Sequence, residues 1–86
     1  MEETNIEELR LYSDVVLGRI SNNVVSFRKE KGFSQLKLAS EIGVSTSFLG
    51  SAELITNKKY HFNIRHIAMI SKVLNINIEE FFKDTQ

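Results

Sequence analysis

The chain contains no proline, and its four glycines stand at positions 18, 32, 43 and 50. Proline is the residue that most reliably breaks a helix, and glycine the one that most readily ends it. A chain of 86 residues punctuated so sparsely is constrained to helices joined by short turns. A mass of 9.9 kDa leaves room for one hydrophobic core and no more. Apolar residues make up 42% of the chain and charged residues 26%, ordinary globular proportions that disfavour disorder and fibrous repeats.

The absence of cysteine removes disulfides, thiolate-bound zinc and a thiol nucleophile from consideration. No apolar run approaches the roughly 18 residues needed to cross a bilayer, and the acidic start Met1-Glu2-Glu3 lacks the basic flank of a secretion signal. A cytoplasmic, non-membrane protein is expected. The two histidines, His61 and His66, have no third ligand nearby, so no metal is expected and both read as surface residues. No Ser-His-Asp set, catalytic carboxylate pair or phosphate loop can be assembled, which argues against an enzyme and leaves no evident cofactor or small-molecule ligand.

The formal net charge of zero hides an asymmetry. Residues 1–17 hold one basic against five acidic side chains, a net of −4, whereas residues 18–66 hold eight basic against three acidic, a net of +5. A basic middle between acidic ends is either an anion-binding face or ordinary solvated surface.

Val16, Ile20, Val24 and Phe27 recur three to four residues apart, which predicts the buried stripe of a first helix beginning at Ser13-Asp14 and ending at Lys31-Gly32. Ser34 is placed to cap a second helix containing Leu36, Leu38, Ala39 and Ile42, closed by Gly43. Ser45 caps a third, with Leu49 and Ala52 facing inward and Thr46, Ser47, Gly50 and Ser51 outside. Leu54 to His61 shows no sustained period, and Thr56-Asn57-Lys58-Lys59 reads as an exposed loop. Asn63 caps a fourth helix whose buried side is expected to be Ile64, Ile67, Ala68, Ile70, Val73 and Leu74, with Asn75 ending it. Asn77 followed by Glu80 predicts a capping box for a last short helix carrying Ile78, Phe81 and Phe82.

Two short helices joined at Gly43-Val44-Ser45, the second with a small polar outer face, match the unit that places one helix in a DNA major groove. At this point the sequence resembles a known family. Arg28-Lys29-Glu30-Lys31-Gly32-Phe33-Ser34-Gln35, Leu38-Ala39, Ile42-Gly43-Val44-Ser45, Leu49 and Glu53 look like the Cro and phage-repressor (XRE-type) helix-turn-helix domain. Ile64, Ile67, Ile70 and the run Leu74 to Phe82 look like the same family's last two helices. The resemblance implies an all-α, five-helix lambda-repressor-like domain over residues 18–82. An acidic extension that includes the start of the first helix occupies 1–17, and a short tail 83–86.

The resemblance further implies that Gln35 bonds a phosphate and that Thr46, Ser47 and Ser51 face base edges. Short hydroxyl side chains can donate to or accept from major-groove edges. Lys37 joins the phosphate contacts, as do Lys58, Lys59, Tyr60 and Asn63, which lie in and after a loop about three residues longer than the family's usual one. Arg28 and Glu53 match positions that often form a salt bridge between the first helix and the end of the recognition helix. The recognition helix carries no Arg, Lys, Gln or Asn, so the strong bidentate readers of guanine and adenine are missing. Phe48 then becomes either a base contact or a packing residue against the second helix. Gly50 costs about 1 kcal/mol of helix propensity relative to Ala, which suggests a close approach to DNA or to a neighbouring helix.

A DNA-binding transcriptional regulator acting as a homodimer on palindromic double-stranded DNA is therefore expected, of the phage or plasmid repressor, restriction–modification controller or antitoxin type. Phe81 or Phe82 is the expected dimer anchor, with Ile6, Leu9 and Tyr12 as an accessory. The competing expectation is a protein-interaction module that keeps the fold without reading DNA, favoured by the neutral charge.

Overall fold

The computed structural model of the chain describes residues 5–54 and 59–84. Lys58 lies outside the described residues. The elements are α1 (Ile6–Glu30), α2 (Gln35–Ile42), α3 (Thr46–Glu53), α4 (Ile64–Leu74) and a terminal 3-10 turn (Ile78–Phe82). The fifth element is thus a single 3-10 turn rather than an α-helix, and the described residues contain no strand.

Local chemistry accounts for most of the boundaries. Ser34, Ser45 and Asn63 each turn a side-chain oxygen onto the backbone N–H three residues on, at 3.0, 3.0 and 2.8 Å. Gly43 at φ 74° and Asn75 at φ 57° end α2 and α4 in the left-handed conformation, which glycine and asparagine tolerate best.

The first helix starts earlier than its sequence suggests. Asn5, not Ser13 or Asp14, is the N-cap, its Oδ1 accepting from the Glu8 N–H at 2.9 Å. Glu7 and Glu8 then complement the positive end of the helix dipole. Ser13 lies inside α1 and donates to the Arg10 carbonyl at 2.9 Å, a contact available to a serine within a helix. No break separates residues 6–17 from the rest: α1 runs through Gly18 for 25 residues, about 37 Å at 1.5 Å per residue.

The core gathers Ile20 and Val24 from α1, Leu38, Ala39 and Ile42 from α2, and Leu49 and Ala52 from α3. Phe62, Ile67, Ile70, Leu74 and Phe81 complete it. Val16, Phe27 and Val73 pack on its edge. Ile64 and Ala68, expected inside, are exposed. Ala68 lies a helical step of 100° from Ile67, while Ile64 opens α4 in its first turn, where a correct azimuth does not guarantee cover.

A buried side chain of α1 ties down the C-terminal turn. Asn23, fully buried, donates through Nδ2 to the carbonyls of Phe81 and Lys83, each at 2.8 Å. Phe81 is 0% exposed and meets Phe27 edge to face at 5.1 Å, so it belongs to the core and offers no ring to a dimer partner. Phe82 is only half-buried. The expected capping box is not formed: Asn77 makes no side-chain cap bond, and Glu80 pairs with Lys83 instead. A 3-10 turn this short leaves few N–H groups for a cap to satisfy.

At the other end α1 carries apolar residues that no described residue buries. Ile6, Leu9, Leu11, Tyr12 and Val15 are 50% exposed or more. At 100° per residue, Ile6, Leu9 and Val16 share the azimuth of Ile20, Val24 and Phe27, so the core-facing stripe continues past the core.

Candidate nucleic-acid interface

α2 and α3 are joined through Gly43, Val44 and Ser45, with the Val44 N–H bonded to the Ala39 carbonyl at 3.0 Å. Leu49 and Ala52 anchor α3 in the core at 0% exposure. Thr46 and Ser47 are exposed at its N-terminus, whereas Ser51 and Gly50 are half-buried. Gly50 faces the Gln35 side chain, and a Cβ built there would lie 3.7 Å from it, ordinary contact distance. Packing against α2 therefore does not require glycine at this position.

Behind α3 lies a buried polar knot. Arg28 donates through Nε to Glu53 Oε2 at 2.7 Å and through a terminal nitrogen to Oε1 at 3.0 Å, while its other terminal nitrogen reaches the Phe33 carbonyl at 2.9 Å. Gln35 Nε2 donates to the same Glu53 Oε1 at 2.8 Å. The three side chains tie α1, the start of α2 and the end of α3 together, fixing the angle at which α3 is presented. Gln35, expected at a phosphate, spends one amide hydrogen inside this knot.

Phe48 packs against the edge of the core. Its ring lies 5.0 Å from His66 and 6.3 Å from both Tyr60 and Phe62, forming an aromatic cluster between α3 and the N-terminus of α4. His66 is accordingly half-buried rather than a surface residue. Its Nδ1 accepts the Asn63 N–H at 3.1 Å while Asn63 Oδ1 accepts the His66 N–H, closing a capping box with histidine in the place usually held by Glu or Gln. An accepting Nδ1 requires the neutral ring, and burial lowers the His66 pKa below its ordinary 6.5.

The charge placement distinguishes α1 from the helices that follow. α1 has glutamates in its first turn, whereas α2, α3 and α4 have no acidic residue there. α2 and α4 instead carry Lys37 and Arg65 in their first turns, where a cation opposes the helix dipole and an external anion relieves both. Arg65, two residues after the Asn63 cap, was not among the residues singled out from the sequence. Lys37 lies 4.4 Å over the Phe33 ring and Lys59 lies 5.4 Å over that of Tyr60. Asn63, Lys59 and Tyr60 are exposed. The described residues contain no group of side chains able to hold a metal ion, and no helix long and apolar enough to cross a membrane.

A family model of the Cro/C1-type HTH DNA-binding domain matches residues 23–86. Among curated proteins, the HTH-type transcriptional regulator SinR of Bacillus licheniformis is 31% identical over 65 residues, covering 76% of this chain and 57% of that protein. SinR of Bacillus subtilis (strain 168) is 34% identical over 59 residues, covering 69% of this chain and 51% of that protein. The chain spans just over half the length of these relatives. No solved structure matches it. With its turn geometry, polar recognition helix and matched residues, the chain belongs to the Cro/C1-type helix-turn-helix family of DNA-binding domains.

Proposed function

We propose that the chain is a sequence-specific DNA-binding transcriptional regulator that occupies a palindromic operator as a homodimer. The observation that carries this reading is the set of capped, acid-free N-termini at α2, α3 and α4, two of them bearing a cation in the first turn. Such ends suit the phosphates flanking a major groove. In this arrangement Thr46, Ser47, Phe48 and Ser51 face base edges. Gln35, Lys37, Lys59, Tyr60, Asn63 and Arg65 hold the backbone, joined by Lys58 from outside the described residues. Pairing through two-fold symmetry would set a second recognition helix about 34 Å along the duplex, with half-buried Phe82 as the apolar anchor available at the C-terminal end.

Binding to random duplex DNA measured across a salt series tests the reading. Affinity is expected to fall steeply with salt, and the triple replacement of Lys37, Lys59 and Arg65 by Ala to flatten the slope by about 0.9 per lost phosphate contact. Salt-insensitive or absent binding would return the chain to the class of protein-interaction modules that keep this fold.

A further inference from the structure

A notch of about 210 Å³ opens beside α3, lined by Ser45, Ser47, Phe48, Ser51 and Tyr60. We propose that this notch receives the 5-methyl group of a pyrimidine in the DNA major groove, with the Phe48 and Tyr60 rings as its apolar walls. The proposal rests on the DNA-binding reading above and names what that surface reads.

Three observations lead to it. First, none of the eight residues of α3 is Arg, Lys, Asn or Gln, so the side chains that pair bidentately with guanine or adenine are absent from the helix. What remains for discrimination is hydroxyl groups and apolar surface. Second, the Phe48 wall is fixed in advance. Phe48 is backed by His66 at 5.0 Å and Phe62 at 6.3 Å, and its ring stands at 89° to that of Tyr60. A ring wedged on one side and open on the other offers a fixed apolar surface with little freedom to lose on binding. Third, the rim carries hydroxyls, which donate and accept with equal ease. Thymine presents an acceptor beside its methyl group and 5-methylcytosine a donor, and a serine serves either. The notch therefore selects the methyl group rather than the exocyclic atom beside it.

A duplex selected by the protein from a random pool provides the probe. Each thymine is replaced singly by deoxyuridine, which deletes the methyl and keeps the base pair, and Kd is measured by fluorescence anisotropy. At one position in each half-site the wild-type protein should lose about four-fold, the worth of one buried methyl. Phe48→Ala and Tyr60→Ala should bind thymine and deoxyuridine equally there. Because Phe48 also packs the domain, Tyr60→Ala supplies a second variant at a residue 41% exposed, and the deoxyuridine scan on the wild type stands without either. At the same position, cytosine against 5-methylcytosine separates the two sources of the methyl: a gain on methylation shows that both bases are read, and no gain assigns the site to thymine alone. Salt-dependent binding that ignores every deoxyuridine overturns the notch while leaving DNA binding intact. So does sensitivity that persists in both variants, since the methyl is then read elsewhere. Absence of salt-dependent duplex binding overturns both readings together.

Discussion

Arg28 and Glu53 face each other inside the protein with side-chain exposures of 8% and 4%, joined by two charge-assisted hydrogen bonds across 25 residues of sequence. Burying either charge alone would be unfavourable, because its partner supplies the attraction that offsets desolvation. Arg28→Ala is therefore expected to destabilise the domain by about 3–5 kcal/mol. Glu53→Gln should also destabilise, since it leaves the Arg28 charge buried without a counter-charge and its NH2 group faces a donor at a position where an oxygen accepted. Urea unfolding of both variants checks this, and an Arg28→Ala midpoint equal to wild type would refute the assignment.

Gly50 lacks the packing reason first suspected for it, since a methyl there meets Gln35 at ordinary contact distance. Gly50→Ala is expected to raise stability by about 1 kcal/mol through helix propensity. If the same protein binds DNA more weakly, the glycine is retained for the approach to the groove. Thermal melts and duplex affinities on one preparation decide the matter.

His66 links stability to pH. Its folded pKa lies below 6.5 through burial, so the unfolded chain binds the proton more readily and stability rises with pH in that window. The contribution is complete above pH 6.5 and is lost as pH falls through the folded value. Unfolding midpoints at pH 8 and pH 5 should differ in wild type. His66→Gln, which keeps an N3 acceptor for the cap, should remove that part of the difference.

Phe81 and Phe82 are expected to separate cleanly. Phe81→Ala opens a core cavity beside Phe27 and should cost about 3–5 kcal/mol of folding stability. Phe82→Ala should leave the fold nearly intact and shift the sedimentation equilibrium toward monomer. A wild-type monomer at tens of micromolar, bound to DNA one to one, would refute the homodimer.

The features legible in the sequence were those decided within a few residues. Gly43 and Asn75 mark turns through their own backbone preferences, and Ser34, Ser45 and Asn63 mark helix starts through a bond three residues away. The start of α1 misled for the same reason: Ser13-Asp14 is a good cap in isolation, and nothing nearby in sequence shows that Asn5 already serves. That Phe81 turns inward goes with contacts far apart in sequence, its ring on Phe27 and its carbonyl on Asn23, 58 residues away. The role of His66 was hidden because histidine at N3 is an unusual capping partner and its aromatic neighbours come from separate elements. In the candidate interface, the turn and the hydroxyl face could be read from spacing, whereas the Phe48 cluster and the Gln35 knot depend on how the helices meet.

The unbroken length of α1 also sets how the molecule tumbles. The principal extents are 45 × 24 × 23 Å, and only α1 among the described elements is long enough to run along the first of them. Its amide N–H bonds point along the helix axis, and so along the axis that reorients most slowly. Nitrogen-15 relaxation should therefore give the highest transverse-to-longitudinal rate ratio in α1. A fall in that ratio confined to residues 6–15 would report independent motion of the half of the helix that extends beyond the core.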